Sequence, residues 1–286
     1  MTRRSFVRAS LLASLSLLAG PNVLAGLQPC VVTRRRILMT GLPPAFEGIR
    51  IALLSDFHHG PVVPAVMIRD AVRLANSLQP DLVALTGDFI QRGKEWAAGC
   101  FRELSLLQAP LGIFGVLGNH DHYAQAAGTV RRAMGAAGIH DLTNRGLDLQ
   151  RDGNTLRLCG VGDLWTEKQD LRSALGRADR PDSVILLSHN PDYAERVRDD
   201  RVGLVLSGHT HGGQCVFPLI GAPILPSRYG QKYASGLCRS PVAKVFVTTG
   251  VGHSSLPLRF NCPAEVALLT LTTPLSSRRA SATSAG

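Results

Sequence analysis

Five short apolar runs in this chain end in the same way, and that shared ending restricts its fold more than any other feature. They read IALLSD, LVALTGD, IFGVLGN, VILLSH and LVLSGH, so each run stops at Asp, Asn or His. Short apolar runs bounded by turn residues indicate buried β-strands. Because the carboxyl ends of strands in an open α/β sheet line one crevice, we expect these polar side chains to converge.

The segments between these runs alternate strand and helix patterns in the first half of the chain. In PAVMIRDAVRLANSLQP the apolar residues recur near the helical period. From residue 139 onward short strands dominate, and RDGN at 151–154 has the composition of a hairpin turn. No internal repeat or linker divides the sequence, so residues 26–273 are predicted to form one α/β domain. The strand-rich second half argues against a barrel of repeated strand–helix units.

The first 25 residues have the pattern of an export signal. A basic start precedes an apolar stretch at 9–20, which is too short to span a bilayer. Val23 and Ala25 are small residues at cleavage-site spacing, and TRRSFVR is similar to a twin-arginine signal. We therefore predict that residues 1–25 are a signal peptide recognised by the twin-arginine export machinery; an uncleaved amphipathic anchor is the alternative. The predicted location is the periplasm or cell envelope, and the tail at 274–286 is predicted to be disordered.

Composition narrows the range of partners. The formal net charge is +10 at pH 7, and aromatic residues make up 5% of the chain. Basic segments interleaved with aromatic residues, which are typical of nucleic-acid binding, do not stand out, so no nucleic acid partner is expected. An anionic substrate or a membrane surface fits the charge better. The six cysteines that follow residue 25 form no CxxC pair, so free thiols and disulfides are both open.

The polar residues at the ends of the runs are of the types that bind transition metals. They are Asp56, His58, Asp88, Asn119, His120, Asp121, His189, His209 and His211. A helix cap or a hydrogen-bonded core histidine would explain one such residue, but not five strand endings together. Mixed nitrogen and oxygen ligands suit Mn, Fe, Zn or Co better than Mg. Two divalent ions about 4 Å apart can clamp a phosphoryl group, so these residue types predict a two-metal site.

In this order the residues resemble the calcineurin-like metallophosphoesterase family. Its successive motifs are matched by D-F-H at 56–58, G-D at 87–88, G-N-H-D at 118–121, His189, and G-H-T-H at 208–211. GHTHGGQ and GVGHSSLPLRFNCPAE also resemble the exported twin-arginine branch of the family, often called YkuE/YaeI-like. The resemblance implies a four-layer α-β-β-α sandwich with two facing mixed β-sheets. It also implies that the chain hydrolyses phosphate mono- or diesters by metal-activated hydroxide attack.

The family pattern further implies a role for each residue. The first of two divalent transition-metal ions would be held by Asp56, His58, Asp88 and His211. The second would be held by Asp88, Asn119, His189 and His209, with Asp88 as the bridge. His120 resembles the family's uncoordinated histidine, which contacts the phosphate and protonates the leaving oxygen, and Asp121 would orient it. Gln91 stands where the family often has a second acid, so the support of His120 is expected to differ.

Several alternatives stay open at this point. The substrate is expected to be a phosphorylated small molecule or lipid, and one variant is a pyrophosphatase that cuts a nucleotide-diphosphate lipid. A non-catalytic metal- or phosphate-binding envelope protein would use the same fold. Arg259 would bind a substrate phosphate, or it would pair with Glu265 at the sheet. The apolar stretch CVFPLIGAPILP at 215–226 forms either a core loop or a lipid-facing rim, and the rim would allow peripheral membrane association.

Overall fold

The computed structural model describes residues 29–176, 183–254 and 257–273. The predicted signal peptide at 1–25 and the predicted disordered tail at 274–286 lie outside these described residues. Within the described ranges, no helix has the length and apolar character that crossing a bilayer would take. All six cysteines are free thiols, so of the two open alternatives the structure contains thiols rather than disulfides.

The first sheet has six strands. Their bounds are Val31–Leu38 (β1), Arg50–Leu54 (β2), Leu82–Leu85 (β3), Ile113–Gly115 (β4), Ile139–Asp141 (β5) and Glu265–Thr272 (β12). They lie in the order β1-β12-β2-β3-β4-β5, and only the β12–β2 pair is antiparallel. Strands β2, β3 and β4 therefore end at the same edge of the sheet.

The second sheet also has six strands. Their bounds are Arg145–Arg151 (β6), Asn154–Gly160 (β7), Val184–Leu187 (β8), Val202–Ser207 (β9), Gly236–Arg239 (β10) and Lys244–Val247 (β11). They lie in the order β10-β11-β9-β8-β7-β6, with antiparallel pairs at both outer ends and parallel pairs between. This sheet is also mixed, and β7, β8, β9 and β11 end at one edge.

Helices cover the outer faces of both sheets. Their bounds are Ala65–Ser77 (α1), Ala97–Leu104 (α2), Asn119–Tyr123 (α3), Ala127–Ala136 (α4) and Leu171–Leu175 (α5). Helices α1, α2 and α4 pack on the first sheet, whereas the second is covered by α5 and a short 3-10 segment at Pro191–Glu195. Two mixed sheets with flanking helices confirm the α/β fold that the family resemblance implied, although the second helical layer is thin.

Strand β2 shows how the sequence distributes its side chains between these layers. Ile51 and Leu53 belong to the core between the two sheets, whereas Ala52 and Leu54 pack against the helices. All four are fully buried. The alternation follows the two-residue period of a strand, and burial on both faces explains why such strands appear as continuous apolar runs.

Two edge strands, β1 and β10, were not predicted from the sequence pattern. Strand β1 has the sequence VVTRRRIL, and its three arginines are exposed. It pairs with β12 alone, and β10 pairs with β11 alone. Charged side chains on an edge strand prevent pairing with other chains, so the apolar signal of a buried strand is absent there.

Glycines allow the strand-end loops to approach one another. Gly87 has a φ of 98°, a value that favours glycine, and it lets the chain turn sharply after β3. Gly118 and Gly208 do not have a left-handed φ. These two glycines provide space instead. A Cβ at Gly118 would overlap the Asp88 carboxylate, and one at Gly208 would overlap the Asp56 carboxylate.

We expect Gly118→Ala to lower the free energy of unfolding, because the added Cβ would enter space that Asp88 occupies. Overpacking of this kind costs about 1–3 kcal/mol. Gly135→Ala is the matched control, because nothing lies within 4 Å of its Cβ and helix α4 would gain about 1 kcal/mol from alanine. Denaturant unfolding measures both variants. Equal stability of the two would contradict the tight approach at Gly118.

Candidate active site

The structure brings all seven predicted ligands to one place, in loops that follow strands of both sheets. In the first sheet, Asp56 and His58 follow β2, Asp88 follows β3, and Asn119 follows β4. In the second sheet, His189 follows β8, and His209 and His211 follow β9. All seven are buried. The edges of the two sheets therefore meet at a single polar centre.

Five of these residues have a left-handed backbone, with φ of 55° at Asp56, 47° at His58, 54° at Asp88, 71° at His209 and 52° at His211. This conformation is uncommon for residues other than glycine and costs about 1–3 kcal/mol each. Backbone hydrogen bonds hold it in place. The Asp56 N–H donates to the Gly87 carbonyl and the His58 N–H to the Asp88 carbonyl, both at 2.9 Å. The loops thus aim their side chains inward at a conformational cost that the surrounding hydrogen bonds offset.

Asp56, His58 and His211 form the first cluster of side chains. Nε2 of His58 lies 2.9 Å from Nε2 of His211, and Oδ1 of Asp56 lies 3.4 Å from Nε2 of His211. Burial lowers the pKa of His58 to about 3 and raises the pKa of Asp56 to about 6. A neutral imidazole has the lone pair that a metal ligand needs, so this cluster is suited to hold a cation.

Asn119, His189 and His209 form the second cluster. Nε2 of His189 lies 3.1 Å from Oδ1 of Asn119 and 3.2 Å from Nδ1 of His209. Nδ1 of His189 lies 2.6 Å from the Thr86 carbonyl, which fixes the ring and directs Nε2 to the cluster. Burial lowers the pKa of His209 to about 3, so its imidazole is neutral at pH 7.

The carboxylate of Asp88 lies between the two clusters. Its Oδ2 is 3.4 Å from Nε2 of His58 and 3.3 Å from Nε2 of His189. Burial opposes ionisation of Asp88, but the neighbouring His189 holds its pKa well below the usual value. Burial likewise opposes a charge on His189, yet the carboxylates of Asp88 and Asp56 raise its pKa to about 10. The negative charge of Asp88 therefore stabilises a positive charge beside it.

The donor atoms fit divalent transition-metal ions. Ring nitrogens that share a metal at about 2.0–2.1 Å lie about 3 Å apart. That spacing is found between His58 and His211, at 2.9 Å, and between His189 and His209, at 3.2 Å. Three overlapping groups of imidazole and carboxylate atoms, each within 4.8 Å, also occur here among the described residues. Their mixed chemistry suits Mn, Fe, Zn or Co.

His120 borders both clusters and is half-buried. Its ring meets the His58 ring edge-on, with centroids 4.7 Å apart. The backbone N–H of His120 donates to Oδ1 of Asp88 at 2.8 Å. Nδ1 of His120 lies 3.4 Å from the Gln91 carbonyl. The residue lines a cleft of about 380 Å³ together with Asp88 and Asn119. A substrate bound in this cleft would therefore contact His120 next to the predicted metal ligands.

The contacts of Asp121 differ from the predicted role of orienting His120. Its carboxylate accepts four backbone hydrogen bonds at 3.0–3.2 Å, from the N–H groups of Asp88, Phe89, Ile90 and Gly118. Burial raises the pKa of Asp121 to about 7, with the Asp88 charge adding to the effect. Asp121 therefore ties the loop after β3 to the start of α3. It positions the backbone, whereas the His120 ring faces the Gln91 carbonyl.

Arg259 also differs from its predicted role as a substrate contact. It is 2% exposed, and its terminal nitrogens donate to five backbone carbonyls, those of Thr249, Gly250, Gly252, Cys262 and Pro263. The alternative, an ion pair with Glu265, is not the arrangement either, because Glu265 accepts from the Thr249 N–H and the Thr33 hydroxyl. Arg259 therefore ties together the two ends of the loop between β11 and β12, and both of its terminal nitrogens are occupied.

Trp165 was missed by the sequence reasoning. It follows β7, lines the cleft, and is 46% exposed. Its ring meets the His209 ring edge-on with centroids 4.3 Å apart. The other cleft residues without a predicted role include Gln214, Cys215, Ser254 and Leu258. The one signal in the sequence was position, since Trp165 lies shortly after a predicted strand, two residues beyond Asp163.

Known proteins match this chain over most of its length. The sequence model described as Calcineurin-like phosphoesterase matches residues 49–213. An uncharacterized metallophosphoesterase, YkuE of Bacillus subtilis strain 168, is 31% identical over 280 residues, which cover 95% of this chain and 98% of its own. Phosphodiesterase YaeI of Escherichia coli K12 is 35% identical over 228 residues, which cover 78% of this chain and 82% of its own.

The matched segment includes every residue of the two clusters, and His120 and Asp121 as well. The buried imidazoles and carboxylates that converge there supply the metal-binding groups that such an activity requires. The chain therefore belongs to the calcineurin-like phosphoesterase family and is a metal-dependent phosphoester hydrolase.

Proposed function

We propose that the chain is a binuclear phosphoesterase that hydrolyses phosphate mono- or diesters in the cell envelope. The observation that carries the binuclear proposal is the position of Asp88, whose Oδ2 lies 3.4 Å from His58 and 3.3 Å from His189. One carboxylate oxygen at equal distance from two ligand clusters is suited to bridge two ions. When bound, divalent ions at such a centre polarise a phosphoryl group and lower the pKa of water.

The proposed ligand sets follow the two clusters. One ion would be held by Asp56, His58, Asp88 and His211, and the other by Asp88, Asn119, His189 and His209. The proposed metals are Mn, Fe, Zn or Co, since each set combines two imidazole nitrogens with two oxygen ligands. The Asp56 carboxylate accepts a hydrogen bond from the backbone N–H of His209 at 3.0 Å. This bond connects a loop of the first ligand set to a loop of the second.

Asp88→Asn and Asp56→Asn are expected to change the metal content differently. Asp88 contacts both clusters, so its replacement should lower the occupancy of both ions. Asp56 lies closest to His211 and His58, so its replacement should remove one ion and retain most of the other. Elemental analysis of the purified variants measures ions per chain, with about two expected for the parent. Equal losses in the two variants would contradict the bridging role of Asp88.

His120 is proposed to deliver a proton to the leaving oxygen. It lines the cleft and is assigned to neither ion. When Nδ1 donates to the Gln91 carbonyl, which lies 3.4 Å away, Nε2 is the atom that holds and releases the proton. Asp121 supports this indirectly by fixing the backbone at the start of α3 through Gly118.

His120→Ala is expected to lower turnover by about 10²–10⁴ on alkyl phosphates, whose leaving groups need a proton. A nitrophenyl phosphate should lose much less, because its leaving group departs as an anion. Steady-state kinetics on both substrates measures this difference.

Metal content and thermal unfolding should match those of the parent chain, and His140→Ala, which changes an exposed histidine, is the control. An equal loss on both substrates would contradict proton donation and indicate an electrostatic role. Unchanged turnover on both would exclude His120 from the mechanism.

A nucleotide-diphosphate lipid is the second candidate substrate, cut as a pyrophosphate. The observation that favours it is the lining of the cleft, which includes the partly exposed Trp165 and the apolar side chains of Ile224 and Leu258. An exposed indole can stack on a nucleobase, and apolar side chains can contact an acyl chain. A panel of phosphomonoesters, diesters and nucleotide-diphosphate lipids separates the candidates by kcat/KM.

The envelope location is proposed from the twin-arginine pattern at the start of the chain. Replacing Arg3 and Arg4 together by Lys should leave the protein in the cytoplasm, because the paired arginines are the recognised feature of this signal. Cell fractionation and immunoblotting measure the distribution. Replacing Arg34 and Arg35 by Lys is the control, since these exposed arginines lie in β1. Normal delivery of the Arg3/Arg4 variant would contradict twin-arginine export.

A further inference from the structure

We propose that the apolar hairpin, defined as residues 215–226, inserts its tip into an anionic lipid surface. The tip carries two large apolar side chains that contact solvent, with Leu219 fully exposed and Ile220 70% exposed. A third, Ile224, is 79% exposed on the returning segment of the hairpin. Exposed apolar side chains concentrated on one projecting loop mark an interaction surface, whereas single scattered ones do not.

The backbone holds these side chains outward. The N–H of Phe217 donates to the Gly221 carbonyl and the N–H of Gly221 donates to the Phe217 carbonyl, both at 2.9 Å. Leu219 lies within this tight turn at a φ of 67°, which is a rare conformation for leucine. A strained backbone that presents an unburied leucine to solvent suggests a function in binding.

The base of the hairpin is anchored to the domain. The N–H of Val216 donates to the Phe260 carbonyl at 2.8 Å, and the Phe217 and Phe260 rings pack with centroids 5.4 Å apart. The Gln231 side chain donates to the Ala222 carbonyl at 2.6 Å. The tip is therefore a fixed projection of the fold, and little ordering would be needed for insertion.

The charge of the surrounding sequence selects an anionic lipid surface as the occupant. From residue 202 to residue 258 the sequence contains four Lys and Arg residues and no Asp or Glu. Arg228, two residues after the hairpin, is exposed, and so is Lys232, although Lys232 also pairs with Glu195. Apolar side chains flanked by basic ones are typical of segments that bind at the interface of anionic membranes.

The proposed surface adjoins the catalytic cleft. Pro223, Ile224 and Pro226 of the hairpin line the same cleft as His209 and His211. Insertion of the tip would therefore place the cleft mouth at the level of the lipid headgroups. The proposal goes beyond the proposed function, because insertion by the tip requires neither a metal ion nor turnover.

Vesicle sedimentation of the full chain tests the surface, with vesicles of phosphatidylglycerol mixed with phosphatidylcholine or of phosphatidylcholine alone. The double variant Leu219→Ser/Ile220→Ser should bind the mixed vesicles roughly tenfold more weakly. Leu106→Ser is the matched control, since Leu106 is 55% exposed beyond the end of α2, at the opposite edge of the sheet. The parent chain should prefer the mixed vesicles. Unchanged binding by the double variant would overturn the proposal.

A fluorescence measurement follows the tip itself and is insensitive to lipid binding by other segments. Ile220→Trp should add an emission that brominated acyl chains quench, whereas Leu106→Trp should add one that they do not. Asp88→Asn should retain vesicle binding, so failure of the proposed chemistry and failure of the proposed surface give different results. An unquenched Ile220→Trp emission would overturn the proposal. So would a chain that dimerises through Leu219 and Ile220, measured by light scattering, without binding vesicles.

Discussion

The buried carboxylate of Asp88, between His58 and His189, is the interaction on which the rest of the site depends. An isolated carboxylate in a protein interior is strongly unfavourable, so its charge must be compensated by hydrogen bonds and cations. The backbone N–H of His120 and the imidazoles of His58 and His189 provide part of that compensation, at 2.8–3.4 Å from the carboxylate oxygens. A divalent ion on each side would complete it. The same requirement explains why Gly118 carries no Cβ, because the carboxylate occupies that space.

Asp121 serves this arrangement through the backbone. By accepting N–H groups from Asp88, Phe89 and Ile90, it holds the loop that presents the Asp88 carboxylate. Without it, three neighbouring N–H groups would need other partners in a region where Asp88 and Phe89 are buried. The acid in the G-N-H-D motif thus holds the backbone that carries Asp88 and does not contact the ring of the histidine beside it. The His120 ring has the Gln91 carbonyl as its neighbour instead.

The positions of the ligands could be predicted from the sequence because strand endings are a local pattern. Residue type and spacing located Asp56, Asp88 and His189. Neighbouring strands of the first sheet bring Asp56 and Asp88 together, and the packing of the two sheets brings His189 to them. The left-handed φ of the ligand loops could not be predicted, since it arises from hydrogen bonds between loops far apart in sequence. Strand β1 was missed because an edge strand needs no apolar run. The surroundings of Arg259 could not be predicted either, because sequence cannot show that backbone carbonyls surround a guanidinium.

The proposed membrane contact and the proposed chemistry would share one face of the molecule, and the fold explains why. Long loops are free to grow only at the strand edges, and the apolar hairpin follows β9, the strand that also delivers His209 and His211. A residue inserted into lipid at Leu219 is therefore connected through a short, anchored segment to two proposed metal ligands. A phosphoester at headgroup level would need to move only along the cleft lined by Ile224 to reach Asp88 and His120. Such an enzyme would gain selectivity for membrane-bound esters from its orientation at the lipid surface.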